Sequence, residues 1–367
     1  MRTFCTVLLA LVLLFSPDGT GPPASIGERA PDHEWTMMAG HDGRTRLREL
    51  IGHPVVIAGF RRHLVDGIHA SLVGSELLSK HEKDGLILIM EDRMAWKEGW
   101  VEPVAFWHRT AGYVPWLTPS PDDGKTPDLG IVRTAPRDAR SLVLIGVDGT
   151  LVAEGTAELA TEPEKQSDFR ARFKRLVAQE IARARSGWGT DPVAREARAL
   201  AFGKGQIAAA LSKLHRDGNT DIPERREVLS ELEWRVAGWT KSVRFYLDEG
   251  RPNEAEDAMK RLSAAVRGAE RWEEALAPLA AEIDSPEVKE EKSLDRKLAK
   301  IVEPLDGKWR RGKIDVEILR ELRAFAEKQA DNRVGARAKR LDPLIKSLLA
   351  TALGLRHSAI EERLRKN

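Results

Sequence analysis

The stretch PVVIAGFRRHLVDGIHASLVGSELLSKHEKDGLILIMED, Pro54 to Asp92, decides the fold of the first half of this chain. It opens on the apolar run PVVIAGF and closes on GLILIMED. Both runs are too short for a helix and rich enough in β-branched residues to read as strands covered on both faces. Between them Ile68, Leu72, Leu77 and Leu78 recur at roughly helical spacing, and Asp84-Gly85 supplies a stop. Strand, helix and strand in that order form a βαβ unit, so the two strands are expected to run parallel in one sheet.

Further along, SLVLIGVDGTLVAEG (Ser141 to Gly155) sets apolar residues on either side of Asp148-Gly149, a two-residue hairpin signal. An amphipathic helix follows over Glu164 to Arg185, with Phe169, Phe173, Leu176, Val177 and Ile181 on one face. RSGWGTDP (Arg185 to Pro192) carries two glycines and a proline, and residues 186–191 read as a linker. Beyond it the texture changes to Ala, Leu, Glu, Lys and Arg. Helices are expected over Pro192–Arg216, Pro223–Asp248, Asn253–Ile283, Pro286–Ile301 and Ile314–Ala352, the last breaking near Asp331-Asn332 or at Pro343. Helical hairpins are the natural packing for 192–367, and DEGRPNEAEDAMKRL (Asp248 to Leu262) looks like the turn and second helix of a tetratricopeptide-type hairpin, without a clean repeat behind it. The charge-rich runs KEEKSLDRKLAK and RARFKRL read as solvated helix faces.

Composition narrows the function. With 42% apolar and 32% charged residues the chain is globular, and a net charge of +2 lacks the concentrated basic surface that nucleic-acid binding requires. Arg2 followed by the apolar run Thr6 to Phe15 reads as a secretory signal over residues 1–24, cleaved within Ser16 to Ser25; an uncleaved anchor is the alternative, and only that would attach the chain to a membrane. The expected location is extracytoplasmic, periplasmic or secreted. The single cysteine, Cys5, precedes the apolar run, so the mature chain has no thiol. Cysteine nucleophiles, zinc–thiolate sites and thiol–disulfide exchange are excluded there. No cofactor motif of the phosphate-binding or dinucleotide-binding type occurs.

Taken in order, GERAPDHEWTMMAGHDGRTRLRELIGHPVVIAGF, the βαβ unit, LVLIGVDGTLVAEG and the closing helix resemble the thioredoxin-like superfamily, specifically its redoxin and TlpA-like branch. The resemblance covers about Ile26 to Ala182. It implies an α/β thioredoxin-like fold over 26–185, a central mixed sheet flanked by helices, followed by an all-α helical-hairpin domain. It also locates the chemistry the chain has lost. Where the family places Trp-Cys-x-x-Cys, this sequence reads Leu64-Val65-Asp66-Gly67-Ile68, and the family's cis-proline position falls on Arg140. At the helix start Asp66 reads as an ordinary cap.

These departures point to binding of a protein or extended peptide at Leu64, Val65, Asp66, Gly67, Ile68 and Arg140 instead of catalysis, with no cofactor. A second candidate surface is the aromatic segment holding Trp96, Trp100, Trp107 and Trp116, although packing over the sheet is the first reading of these residues. The competing reading is a metal-assisted enzyme using His63, Asp66 and His69; the spacing lacks the H-E-x-x-H pattern of zinc proteases. A third makes the C-terminal helices the functional half, a scaffold in an envelope assembly.

Overall fold

The computed structural model describes residues 25–34, 37–39, 41–60, 73–74, 76–92, 114–115, 141–156, 163–216, 221–303, 316–353 and 356–366. Met37–Ala39 (β1) pairs antiparallel with Val114–Pro115 (β4). The main sheet comprises Val55–Phe60 (β2), Ile87–Asp92 (β3), Ser141–Ile145 (β5) and Leu151–Thr156 (β6), in the order β3-β2-β5-β6. β2 and β3 are parallel, in register from Val55↔Ile87 to Phe60↔Asp92. β5 runs antiparallel to both β2 and β6. This mixed sheet, with helix between its parallel strands and a closing helix after the hairpin, is the thioredoxin-like arrangement expected from the sequence.

Alternation along the strands builds the two layers. Val55, Ile57, Ile87, Ile89, Val143 and Ile145 share one cluster with Leu47 and Leu50 from the short 3-10 turn Leu47–Leu50. The other face, carrying Ala58 and Leu88, meets the helical residues 73–74 and 76–81 at Gly74, where a side chain would run into Leu88. Pro163–Ser186 (α1) buries Phe173, Val177 and Ile181 and lays Phe169 against Gly155 of β6. Each fully buried residue of this size contributes about 1.5–3 kcal/mol. The hairpin turns at Gly149, whose φ of 80° favours glycine.

The chain divides into two compact units between Arg235 and Val236. The first therefore continues past the thioredoxin-like sheet through Pro192–Arg198 (α2), a π-helical turn over Ala199–Gly203, Ile207–Arg216 (α3) and the opening of Pro223–Asp248 (α4). Residues 186–191, read as a linker, instead hold Trp188 buried against Phe202, ring centroids 5.0 Å apart, and Asp191 caps α2 by accepting from the Ala194 N–H. Gly187 and Gly189 serve tight turns, φ 77° and 109°, in a packed segment.

The second unit is helical: the remainder of α4, Pro252–Val266 (α5), Glu270–Ile283 (α6), Pro286–Val302 (α7), Glu317–Lys328 (α8), Arg333–Leu353 (α9) and His357–Lys366 (α10). The helix expected over Asn253–Ile283 is two, broken at Gly268 with φ 90°. The break in the last stretch falls at 329–332, and Pro343 lies inside α9. α8, α9 and α10 close over Leu319, Leu322, Val334, Ala338, Leu349 and Ile360. The run Lys289 to Lys300 is a solvated face only in part: Lys289, Glu290, Arg296, Lys297 and Lys300 are exposed, whereas Glu291, Lys292 and Asp295 are buried, paired with Arg333, Glu256 and Arg337. No helix among the described residues is long and apolar enough to cross a membrane.

Candidate functional site

β2 ends at Phe60, beside Asp92 of β3, and the described helix resumes at Val73. The former redox loop connects these two points. Leu64, Val65, Asp66, Gly67 and Ile68, with His63 and His69, lie outside the described residues, as do Arg140 and the aromatics Trp96, Trp100, Trp107 and Trp116. Among the described residues no group of three or more histidines, cysteines and carboxylates is placed to hold a metal.

At the opposite end of the sheet, by the β5–β6 turn, the structure forms an open cleft of about 400 Å³. Asp148 and Thr150 come from the turn, Arg183 from α1, Trp188 to Thr190 from the packed segment, Arg198 from α2, Glu224 and Glu227 from α4, and Arg29 from the N-terminal segment. The sequence puts Glu224, Glu227 and Glu231 at intervals of three and four, so all three carboxylates face one way on α4. They converge on Arg198, which is 2% exposed and has all five donors engaged. Its Nε and Nη2 donate to Glu231 at 2.8 and 3.0 Å, Nη1 to Glu224 at 3.0 Å and the Trp188 carbonyl at 3.1 Å, and Nη2 also to Glu227 at 3.2 Å. The guanidinium also lies over the Trp188 ring, 5.2 Å from its centroid.

Glu224 additionally accepts from the Thr190 and Asp191 N–H groups, both at 3.0 Å, and from the Thr190 hydroxyl at 2.7 Å. Burial raises its carboxyl, but these hydrogen bonds outweigh burial and hold it below the usual range. Asp148 behaves the same way: burial is opposed by Thr150 and by Arg183, whose Nη2 donates at 2.6 Å, and the net direction is down. Glu231 goes up, because burial dominates over Arg198. Arg29 meets Glu227 at 2.5 Å. Each cation lining the cleft has a carboxylate partner within it or beneath it, so the network clamps helices to the sheet and presents no excess charge to an ion.

A second cluster surrounds the entrance to β2. His53 donates from Nδ1 to the Gly85 carbonyl at 2.8 Å, and its Nε2 faces Arg235 Nη1 at 3.4 Å. Arg44 and Arg235 are both buried, Arg44 held by Asp42 at 2.7 to 3.1 Å and Arg235 lying 4.9 Å over the Phe202 ring. Burial and the Arg44 charge lower Arg235 to about 9. Neither cluster is among the sites expected from the sequence. The Glu224–Glu227–Glu231 spacing was the available signal for the first; the second joins residues far apart along the chain and left none.

No family model and no curated protein matches the chain. Solved structures do. One is described as a protein disulfide isomerase from Bacteroides thetaiotaomicron, 20% identical over 42% of this chain and 91% of its own, with a TM-score of 0.31. Another is described as the thiol:disulfide interchange protein DsbE from Chlorobium tepidum, 19% identical over 44% of this chain and 98% of its own, with a TM-score of 0.29. At these values the strand order and directions of the sheet itself define the class: a thioredoxin-like domain, in a chain whose one cysteine is Cys5.

Proposed function

We propose that this chain is an exported thioredoxin-like protein that acts by holding a protein or extended peptide, as a scaffold of the cell envelope, and not by thiol chemistry. The carrying observation is a four-stranded thioredoxin-like sheet with a buried core, among the described residues, in a chain with no cysteine after residue 5. A thioredoxin-type reaction needs a thiolate at the helix that follows β2, and this sequence supplies none. The sequence puts that position directly after β2, the central strand of a parallel pair, and such a scaffold suits recognition as well as it suits catalysis. Export is supported by Arg2 and the Thr6–Phe15 apolar run.

The test is site-specific photocrosslinking in the full chain expressed with its own leader, with the reactive residue at Val65 and, as control, at exposed Lys260. A discrete adduct at position 65 that is absent at 260 is the expected result. No adduct, or the same adducts at both positions, would refute binding at the former redox loop.

A further inference from the structure

His53 closes the turn ahead of β2, and its hydrogen bonds fix its tautomer. The Gly85 carbonyl only accepts, so the ring proton sits on Nδ1 and Nε2 keeps its lone pair. That lone pair is turned to Arg235 Nη1, 3.4 Å away, midway along α4 where the first unit ends. Arg235 covers the Phe202 ring, and Phe202 presses on Gly52, where a side chain would overlap the ring. Three contacts in a row, His53–Arg235, Arg235–Phe202 and Phe202–Gly52, therefore hold the π-turn and the opening of α4 against the entrance of the central strand.

We propose that His53 is an acid-sensitive latch: a proton added at Nε2 replaces the acceptor facing Arg235 with a third cation and releases residues 199–235 from the β2 entrance. Among the described residues the carboxylate that acts on the ring, Asp42, is already bound to Arg44, so it offers an added proton little compensation. From α4 the ring meets Arg235; from the segment ahead of β2 it meets Arg44, whose charge is already matched by Asp42; from the β3 side it meets the Gly85 carbonyl, already used by Nδ1. In the turn before Gly85, Asp84 is engaged by His81 and Arg185. Burial first, and then the charges of Arg235 and Arg44, hold the imidazole well below its ordinary pKa. The latched form thus stays unprotonated where an opened form, with an ordinary value of about 6.5, takes up the proton. Opening is then favoured by about tenfold for each pH unit below 6.5, until the latched ring itself titrates.

The experiment compares the full chain with His53→Gln, whose amide can both donate and accept but does not titrate. Protection factors for the amides of residues 223–235, with the intrinsic pH dependence of exchange divided out, are measured between pH 7.5 and 5. The wild type is expected to lose protection about tenfold per pH unit below 6.5 relative to H53Q; parallel profiles overturn the latch. Should H53Q fail to fold, NMR titration of the wild-type ring and of Arg235→Met decides. The latch requires His53 to titrate below 6.5 in the wild type and closer to it in R235M. A wild-type ring that titrates at 6.5, or one unmoved in R235M, overturns the latch.

Discussion

Arg198→Met removes the hub of the first unit while keeping most of the side chain's apolar length. Arg198 is 2% exposed and Glu231 1% exposed, joined by two hydrogen bonds at 2.8 and 3.0 Å. Taking away one member leaves a carboxylate buried without its counter-charge, a change that costs about 3–5 kcal/mol. The carboxyl limits this cost by binding a proton. Its native pKa is already above the ordinary 4.5 and rises further without Arg198, so between 4.5 and the new value the native state holds more protons than the unfolded one. Stability of the variant therefore falls as pH rises through that window, and its deficit against wild type is smallest near pH 4.5 and largest near neutrality. The assay is urea unfolding followed by tryptophan fluorescence, since Trp188 lies directly under the guanidinium. The double variant Arg198→Met/Glu231→Leu removes both charges and is expected to recover about 2–3 kcal/mol of the loss at pH 7. A single-variant loss below about 1 kcal/mol, or a double variant no more stable than the single one, would refute the burial argument.

Gly52→Ala places a Cβ inside the Phe202 ring at a φ of 86°, and is expected to cost about 2–5 kcal/mol from backbone strain and overpacking together. In a Phe202→Ala background only the backbone share, about 1–2 kcal/mol, should remain; equal costs in both backgrounds would refute the contact. In the second unit Glu361 accepts from Arg323 and Lys346, and these bonds lower its pKa to about 2. Because that value lies below the ordinary 4.5, the contribution is present above pH 4.5 and lost as pH falls toward 2. Discounted for solvent screening, Glu361→Gln should cost about 1 kcal/mol at pH 7, read as faster amide exchange in residues 356–366, with unchanged exchange as the contrary result.

Local chemistry was legible in the sequence. The parallel pair follows from two short apolar runs flanking a helical period, and the hairpin follows from Asp148-Gly149, because each signal is carried by one contiguous stretch of sequence. The helix Pro223–Asp248 kept both of its expected ends, set by Pro223 and by the turn at Gly250. Longer-range effects were not legible. Trp188 sits between two glycines that mark turns, and only tertiary packing against Phe202 and Arg198 makes that segment part of a folded unit. Ala258, Leu262, Ala265, Ala269, Trp272, Leu276 and Leu279 recur at spacings of three and four across Gly268, so periodicity hides a break made by backbone conformation. Glu291, Lys292 and Asp295 looked solvated because their partners Arg333, Glu256 and Arg337 come from other helices. Of the candidate site, the loss of thiols is a property of composition and needs no fold to see, whereas the Arg198 hub depends on pairs 26 to 33 positions apart.

The most direct test of the account is a pair of assays on one sample of the purified chain beginning at residue 25: insulin reduction with dithiol, and metal content per chain. No turnover above the dithiol background and no stoichiometric metal are expected. One metal ion per chain that is lost in His63→Ala/His69→Ala would contradict this and make the former redox loop a metal centre.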